Sequence, residues 1–266
     1  MLSDFTVITQ HFPNNTDTRI TGISDLHVGA REHMRDAWKE FSANVLSDPN
    51  WYVILVGDMI NNGIKTAKTN TYEEILRPRD QKRVVTEMLK PLADNGRILC
   101  GVPGNHELRS VKETDDEPFY DIMCKLDLEE RYRENMAFLK VQFGEKNGHG
   151  LRNPTYKFCV AHGSGGGTTG SSVNRKEGFG YVIDGIDCLV TGHDHKPFNT
   201  FPSKIVFDAH NNKVSTKPFV VLSCSSWLDY GGYALRGMLK PSSHIPQEMI
   251  LHGKQKIIEI RNFVKF

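Results

Sequence analysis

Short apolar runs recur along the chain, and each breaks off into a turn that carries polar side chains: "RITGISDLHVG", "WYVILVGDMI", "GRILCGVPGNHE", "YKFCVAHGSGG" and "IDCLVTGHDH". Unbroken apolar runs of this length, without alternation, are the pattern of strands buried on both faces. Between the first three runs the period changes. Met34, Ala37, Trp38, Phe41 and Val45 keep the spacing of one helix face over residues 31–47. Val84, Val85, Met88, Leu89 and Leu92 do the same over 79–94, on a segment that opens after Pro78. Strand, helix, strand, helix, strand predicts a parallel sheet with crossover helices. Beyond residue 195 the texture is mainly β: "KIVFDAHNNKVSTKPFVVLSC" reads as two strands around the turn "NN", and "QKIIEIRNFVKF" as a closing strand.

With 266 residues the chain can bury a sizeable core, and one domain spanning 1–266 is expected. Its 33 Lys+Arg against 32 Asp+Glu leave no global field that points to nucleic acid or a membrane surface, although a local basic groove is compatible with that balance. No charged and then apolar leader opens the chain, and no apolar run approaches the ~18 residues of a membrane span. A soluble, cytoplasmic protein without a membrane partner is therefore expected; nothing in the pattern speaks to oligomeric state. The cysteines Cys100, Cys124, Cys159, Cys188 and Cys224 are odd in number and mostly set in apolar runs, so they read as buried reduced thiols.

In open α/β sheets, ligands bind beyond the carboxyl ends of the strands. Those ends carry Asp25 with His27, Asp58, Asn105 with His106, His162, and His193 with His195. Taken singly, each has an ordinary reading: His162 is a loop or core histidine, and Asp58 a helix cap. Together they form a set of oxygens and imidazoles without thiolate, which suits divalent Mn, Fe, Zn, Co or Ni better than a structural zinc site. The candidate ligands Asp25, His27, Asp58, Asn105, His162, His193 and His195 exceed what one cation needs. Two cations sharing a carboxylate would use them all, and such pairs commonly hydrolyse phosphate esters.

The motifs "DLH", "GD", "GNHE", a lone "HG" and "GHDH", in this order and each after an apolar run, resemble the five-part signature of the calcineurin-like metallophosphoesterases over residues 25–195. The resemblance implies a four-layer α/β/β/α sandwich, two mixed sheets flanked by helices. It implies a di-metal phosphoesterase, with Mn the first choice of cation: Asp25, His27 and His195 on one cation, Asn105, His162 and His193 on the other, and Asp58 bridging. The nucleophile it implies is a hydroxide held between the cations. His106 becomes the non-ligand histidine that protonates the departing oxygen or stabilises the transition state. His11, His33, His149, His210, His244 and His252 match no part of the signature and read as surface or structural residues.

Substrate class rests on the loops. Ser/Thr protein phosphatases follow "GD" with an Asp that orients the catalytic His and an Arg that grips phosphate, whereas here "GDMINNG" puts Asn61 and Asn62 at those places. Neutral amides neither raise imidazole basicity nor clamp a dianion bidentately. The two histidines of "GHDH" and the opening "DLHVG" are similar to the nuclease and phosphodiesterase branches, including DNA-repair nucleases. The length, and a "GNHE" followed closely by Arg, are similar to phage and prophage metallophosphoesterases. The expected reaction is hydrolysis of a phosphodiester, in nucleic acid such as DNA or in a nucleotide; the alternative is a protein or small-molecule phosphomonoesterase, which "CVAHGSGGG" favours through its likeness to the phosphatase "HGG". A non-catalytic binding module is disfavoured because every ligand position and His106 are filled. Arg109 and Asn61 are the expected substrate contacts. Residues 61–79, with Lys65, Lys68, Arg77 and Arg79, read as a substrate-facing loop or lid, 163–175 as a glycine-rich phosphate cradle, and Trp227, Tyr230 and Tyr233 as a stacking platform, each beside a plainer reading as filler or core.

Overall fold

The computed structural model describes residues 3–65, 67, 71–145, 153–164 and 170–262. In chain order its strands are β1 (Val7–Phe12), β2 (Thr18–Ile23), β3 (Trp51–Val56), β4 (Ile98–Val102), β5 (Met136–Phe143), β6 (Thr155–Ala161), β7 (Cys188–Thr191), β8 (Phe198–Thr200), β9 (Ser203–Asp208), β10 (Lys213–Pro218), β11 (Val220–Ser223), β12 (Glu248–Leu251) and β13 (Ile258–Arg261). Its helices are α1 (Arg35–Ser47), α2 (Pro78–Asp94), α3 (Glu107–Thr114), α4 (Pro118–Lys125), α5 (Gly170–Val182) and α6 (Gly232–Arg236).

One sheet runs β1-β5-β6-β7-β11-β8 and the other β13-β12-β2-β3-β4. Both are mixed: β2, β3 and β4 run parallel, as do β6, β7 and β11, while β12 joins β2, and β5 joins β6, antiparallel. The central strand β3 explains the unbroken apolar run. Ile54 and Val56 enter the cluster shared with Leu139, Val141, Val160 and Val190 of the other sheet, whereas Val53 and Leu55 pack with Trp38, Val85 and Leu89 of α1 and α2. Alternate residues thus enter two different cores, and burying each is worth about 1.5–3 kcal/mol. A third cluster, with Leu189, Phe219 and Val221, covers the outer face of the larger sheet beside Ile183, just past α5. Helices, sheet, sheet and helix make the expected four-layer α/β/β/α arrangement.

The helices predicted over 31–47 and 79–94 are α1 and α2, with Pro78 in the first turn of α2, where its missing N–H costs nothing. The segment read as two strands around "NN" is three. Strands β9 and β10 form a separate hairpin whose Ile205, Phe207 and Val214 are exposed, and after Pro218 the apolar "VVLS" enters the large sheet as β11. The difference lies in the period: β9 alternates along its length, and β11 does not. All five cysteines are free, and burial pushes the Cys100 and Cys159 thiols up to about 12, consistent with inert packing groups.

Candidate metal centre

Strands β2, β3, β4, β6 and β7 end on one rim, and the turns leaving them are stitched together. Asp25 N–H donates to the Gly57 carbonyl (3.0 Å), His27 N–H to Asp58 (3.0 Å), and Gly192 N–H to His162 (3.0 Å). Two bonds cross between the sheets: His193 N–H donates to Asp25 Oδ2 (3.0 Å), and the His162 ring to the Val56 carbonyl (2.6 Å). A carbonyl only accepts, so His162 carries its proton on Nδ1 and turns Nε2 towards the centre.

The side chains converge in two groups around Asp58. Asp25 Oδ1 lies 3.1 Å from His195 Nε2 and 3.6 Å from His27 Nε2, and the two imidazole nitrogens are 3.1 Å apart. Asp58 Oδ2 lies 3.2 Å from His162 Nε2 and 3.9 Å from His27 Nε2. Asn105 Oδ1 is 2.7 Å from His193 Nδ1 and 3.2 Å from His162 Nε2. Asp25, His27 and His195 therefore come together, as do Asp58, His162 and His193 with Asn105, and Asp58 faces both groups. His27 and Asp58 also close on His106 as a third set, so the partition expected from the sequence is one way of sharing these atoms among cations.

The set fits divalent cations on its own chemistry. Asp25 Oδ1 is buried without a hydrogen-bond partner, while Oδ2 of the same carboxylate takes both the Ser24 hydroxyl and the His193 N–H. Among the described residues Oδ1 faces only the imidazoles of His195 and His27, and an ionised oxygen at full burial is costly unless a cation, a protonated ring or a metal ion, meets it. Neighbouring donors on a coordination sphere of ~2.1 Å stand roughly 3.0–3.4 Å apart, close to the spacings here. The backbone is arranged for the purpose as well: Asp25 (φ 55°), His27 (46°), Asp58 (55°), His193 (75°) and His195 (53°) are all left-handed. Such positions cost about 1–3 kcal/mol each and persist where the surroundings over-determine them.

Charge follows the same geometry. Burial works against the Asp25 and Asp58 carboxylates, yet the imidazoles beside them, His195 for Asp25 and then His162 and His106 for Asp58, hold both below the usual carboxylate range. Burial opposes a charged His162 too, but Asp58 overcomes it and pushes that ring up to about 10. Two ionised carboxylates thus sit in a dry rim, with protons standing where cations would.

His106 differs from the ligand candidates. Its Nδ1–H donates to the Asn61 carbonyl (2.6 Å), so its Nε2 accepts from Arg109 Nη2 (2.9 Å) while lying 3.8 Å from Asp58. Burial first, then the His27 and Arg109 charges, against the pull of Asp58, bring His106 down to about 3. Arg109 is tethered to the Asn61 carbonyl (3.1 Å). Asn61 therefore reaches this pair through its backbone, and its amide donates instead to Glu74 (2.8 Å). Asn62 is fully buried, its amide spent on the His106 carbonyl and Ser110.

Other expectations fare differently. Trp227 is core, edge-on to Trp38 and Phe41, and the Tyr230 hydroxyl donates to the Leu239 carbonyl. The Tyr233 side chain, Lys68, His149 and residues 165–169 of the glycine-rich stretch lie outside the described residues. Residues 71–76 do lie by the site, with Ile75 N–H on the Gly29 carbonyl and Glu74 joining Asn61 to Gln81. Sequence reasoning missed Glu107. Its buried carboxylate accepts the N–H groups of Asp58, Met59, Ile60 and Gly104 and so knits the second and third motifs together. Burial, then Asp58, push its pKa up to about 7 against those bonds. The final letter of "GNHE" was the available signal.

The calcineurin-like phosphoesterase family profile matches residues 18–197. A DNA polymerase II small subunit from Halobacterium salinarum is 30% identical over 116 residues, 41% of this chain, and the match spans 22% of that protein's length. Among solved structures, a metallophosphoesterase from Sphaerobacter thermophilus is 15% identical at a TM-score of 0.40, over 88% of this chain and 83% of its own. The calcineurin-like phosphoesterase YfkN from Bacillus subtilis is 12% identical at 0.39, over 92% and 90%.

Proposed function

The chain belongs to the calcineurin-like phosphoesterase family, and from that premise we propose that it is a hydrolase of phosphoester bonds that cleaves a phosphodiester, in nucleic acid or a nucleotide, at a centre of two divalent cations. Asp25, His27 and His195 would hold one cation, Asn105, His162 and His193 the other, and Asp58 both. Mn is the first cation to try, with Fe, Zn, Co and Ni as alternatives that a mixed oxygen and imidazole set also accepts. Such cations, when bound, polarise phosphoryl oxygens and acidify water.

The chain's own groups supply the rest. Arg109, anchored on the Asn61 carbonyl, presents its guanidinium beside His106 Nε2 and can exchange that nitrogen for a phosphoryl oxygen. Released from Arg109, Nε2 would have to take up a proton from the attacking water before it could give one to the leaving oxygen, while its Nδ1–H stays on the Asn61 carbonyl. The Asn61 carbonyl fixes the ring by its Nδ1–H, the service a carboxylate gives elsewhere, without the charge that would raise imidazole basicity. The observation that carries the diester reading is the burial of Asn62: the position after Asn61 is turned into the fold and offers no second clamp, so Arg109 meets the phosphoryl group alone. A monoester dianion gains most from two such clamps; a diester carries one charge and needs room for its second substituent. The relative named as a polymerase subunit belongs to a nucleic-acid setting, in keeping with this reading.

The test is kcat/KM for bis-p-nitrophenyl and p-nitrophenyl phosphate with Mn, in the wild type and Arg109→Ala. The diester should be preferred, and the substitution should cost the monoester more, because losing a charge-assisted contact weighs most on the more highly charged ligand. A monoester preference that disappears in Arg109→Ala overturns the diester reading and favours a phosphatase.

A further inference from the structure

Between the ligand candidates His193 and His195 sits Asp194, a carboxylate that turns away from the centre. It meets Lys176 on α5: Nζ lies 2.6 Å from Asp194 Oδ2. The same ammonium donates to the Gly192 carbonyl (2.8 Å) and to Ser223 Oγ at the end of β11 (2.8 Å), and lies 5.3 Å from the centre of the Phe198 ring. Lys176 is 7% exposed. Ser172, one helical turn before it on the same face, donates its hydroxyl to the same Asp194 oxygen. One buried cation thus grips the segment 192–198 at its start, its middle and its end.

This segment needs a grip. His193 and His195 are both left-handed, with φ of 75° and 53°, and neither is a glycine that takes up such a conformation freely. The turn must present two imidazoles to one side and a carboxylate to the other within three residues. Asp25 Oδ2 fixes His193 from the site side; from the α5 side, Lys176 holds Gly192 before the two histidines, Asp194 between them and Phe198 beyond them.

We propose that Lys176 is the positioning residue of the metal centre, setting through Gly192, Asp194 and Phe198 the turn that delivers His195 to one cation and His193 to the other. The assignment rests on the two-cation reading above. Its consequence is specific: loss of the grip weakens both cations together, because the two histidines serve different ones.

The test titrates Mn2+ alone into the metal-free full chain by calorimetry. Lys176→Met leaves Asp194 buried and unpaired, so the informative variant is Lys176→Met with Asp194→Asn, which removes both charges at once. Should the double variant melt near the assay temperature, Lys176→Gln with Asp194→Asn, which keeps polar groups of similar shape and no charge, serves as the second variant with the same expected weakening at both cations. Lys82→Met, which breaks the pairing with Asp116 and Asp121 away from the cations, controls for general destabilisation. The double variant should bind both Mn2+ ions about 10–100-fold more weakly, the usual scale for losing a group that orients a ligand, with unchanged near-UV circular dichroism, while Lys82→Met keeps wild-type affinity. Wild-type affinity in the double variant, or weakening at one cation only, overturns this assignment alone. Failure of the wild type to bind two Mn2+ overturns the two-cation reading and this assignment with it.

Discussion

Replacing Gly104 by alanine probes the centre through space alone, since the substitution removes no ligand and no hydrogen bond. A Cβ at this position would stand 2.1 Å from Asp58 Oδ1, 2.4 Å from the Asp58 nitrogen and 2.7 Å from its Cγ. Ordinary contact between such atoms is about 3.5 Å, so Asp58 must retreat by roughly 1.4 Å. It has nowhere cheap to go. Its Oδ1 accepts the His106 N–H at 2.8 Å, and its own N–H is held by Glu107 at 3.0 Å. Metal sites tolerate about 0.2 Å in ligand distance, so a displaced shared carboxylate should cost both cations. Overpacking typically costs about 1–3 kcal/mol, and the approach to the Asp58 backbone nitrogen places this substitution at or above the upper end of that range, still less than the ~5–15 kcal/mol stability of an ordinary domain. Gly104→Ala should therefore fold, melt a few degrees lower and retain less than one Mn per chain after loading and desalting, as read by elemental analysis beside a thermal melt. Two Mn per chain with wild-type turnover would refute the placement of Asp58 between the two groups.

The metal-free chain should be pH-sensitive through His162. Its folded pKa of about 10 exceeds the unfolded value of 6.5, so its contribution to stability is complete below 6.5 and is lost as pH rises towards 10. Urea melts between pH 6.5 and 9.5 should show falling stability, and His162→Gln should flatten that slope; an unchanged slope would remove His162 as the cause. Glu107→Ala strands four buried N–H groups at about 1–3 kcal/mol each. At about 2–4 °C per kcal/mol, the melting temperature should fall by roughly 10 °C or more, and a fall under about 3 °C would mean that water replaces the carboxylate at little cost.

The convergence of the candidate residues was legible because it is written in one dimension. Each candidate follows the end of an apolar run, and parallel strands deliver those ends to one rim, so reading along the chain amounts to reading around the site. The helices α1 and α2 were legible for the same local reason, their apolar stripes over 31–47 and 79–94. The split of "KIVFDAHNNKVSTKPFVVLSC" was not, since the alternation of β9 and the unbroken run of β11 lie within a few residues of each other and only the sheet that each joins separates them.

The supporting groups were illegible for the opposite reason. Lys176 lies in "GSSVNRKEGFGYV", a helix with no apolar stripe, and its partners Gly192, Asp194 and Ser223 come from two later strand ends. Asn61 shows the same limit in reverse: its side chain looked like the working part, yet the backbone oxygen meets His106 and Arg109 while the amide turns to Glu74. A backbone carbonyl has no letter in the sequence. Residue type therefore locates a metal centre more readily than it ranks substrates, because cations are held by side chains whose chemistry is their identity. The protonation and reach of His106 are set instead by a carbonyl, a neighbouring guanidinium and burial, which only the fold brings together.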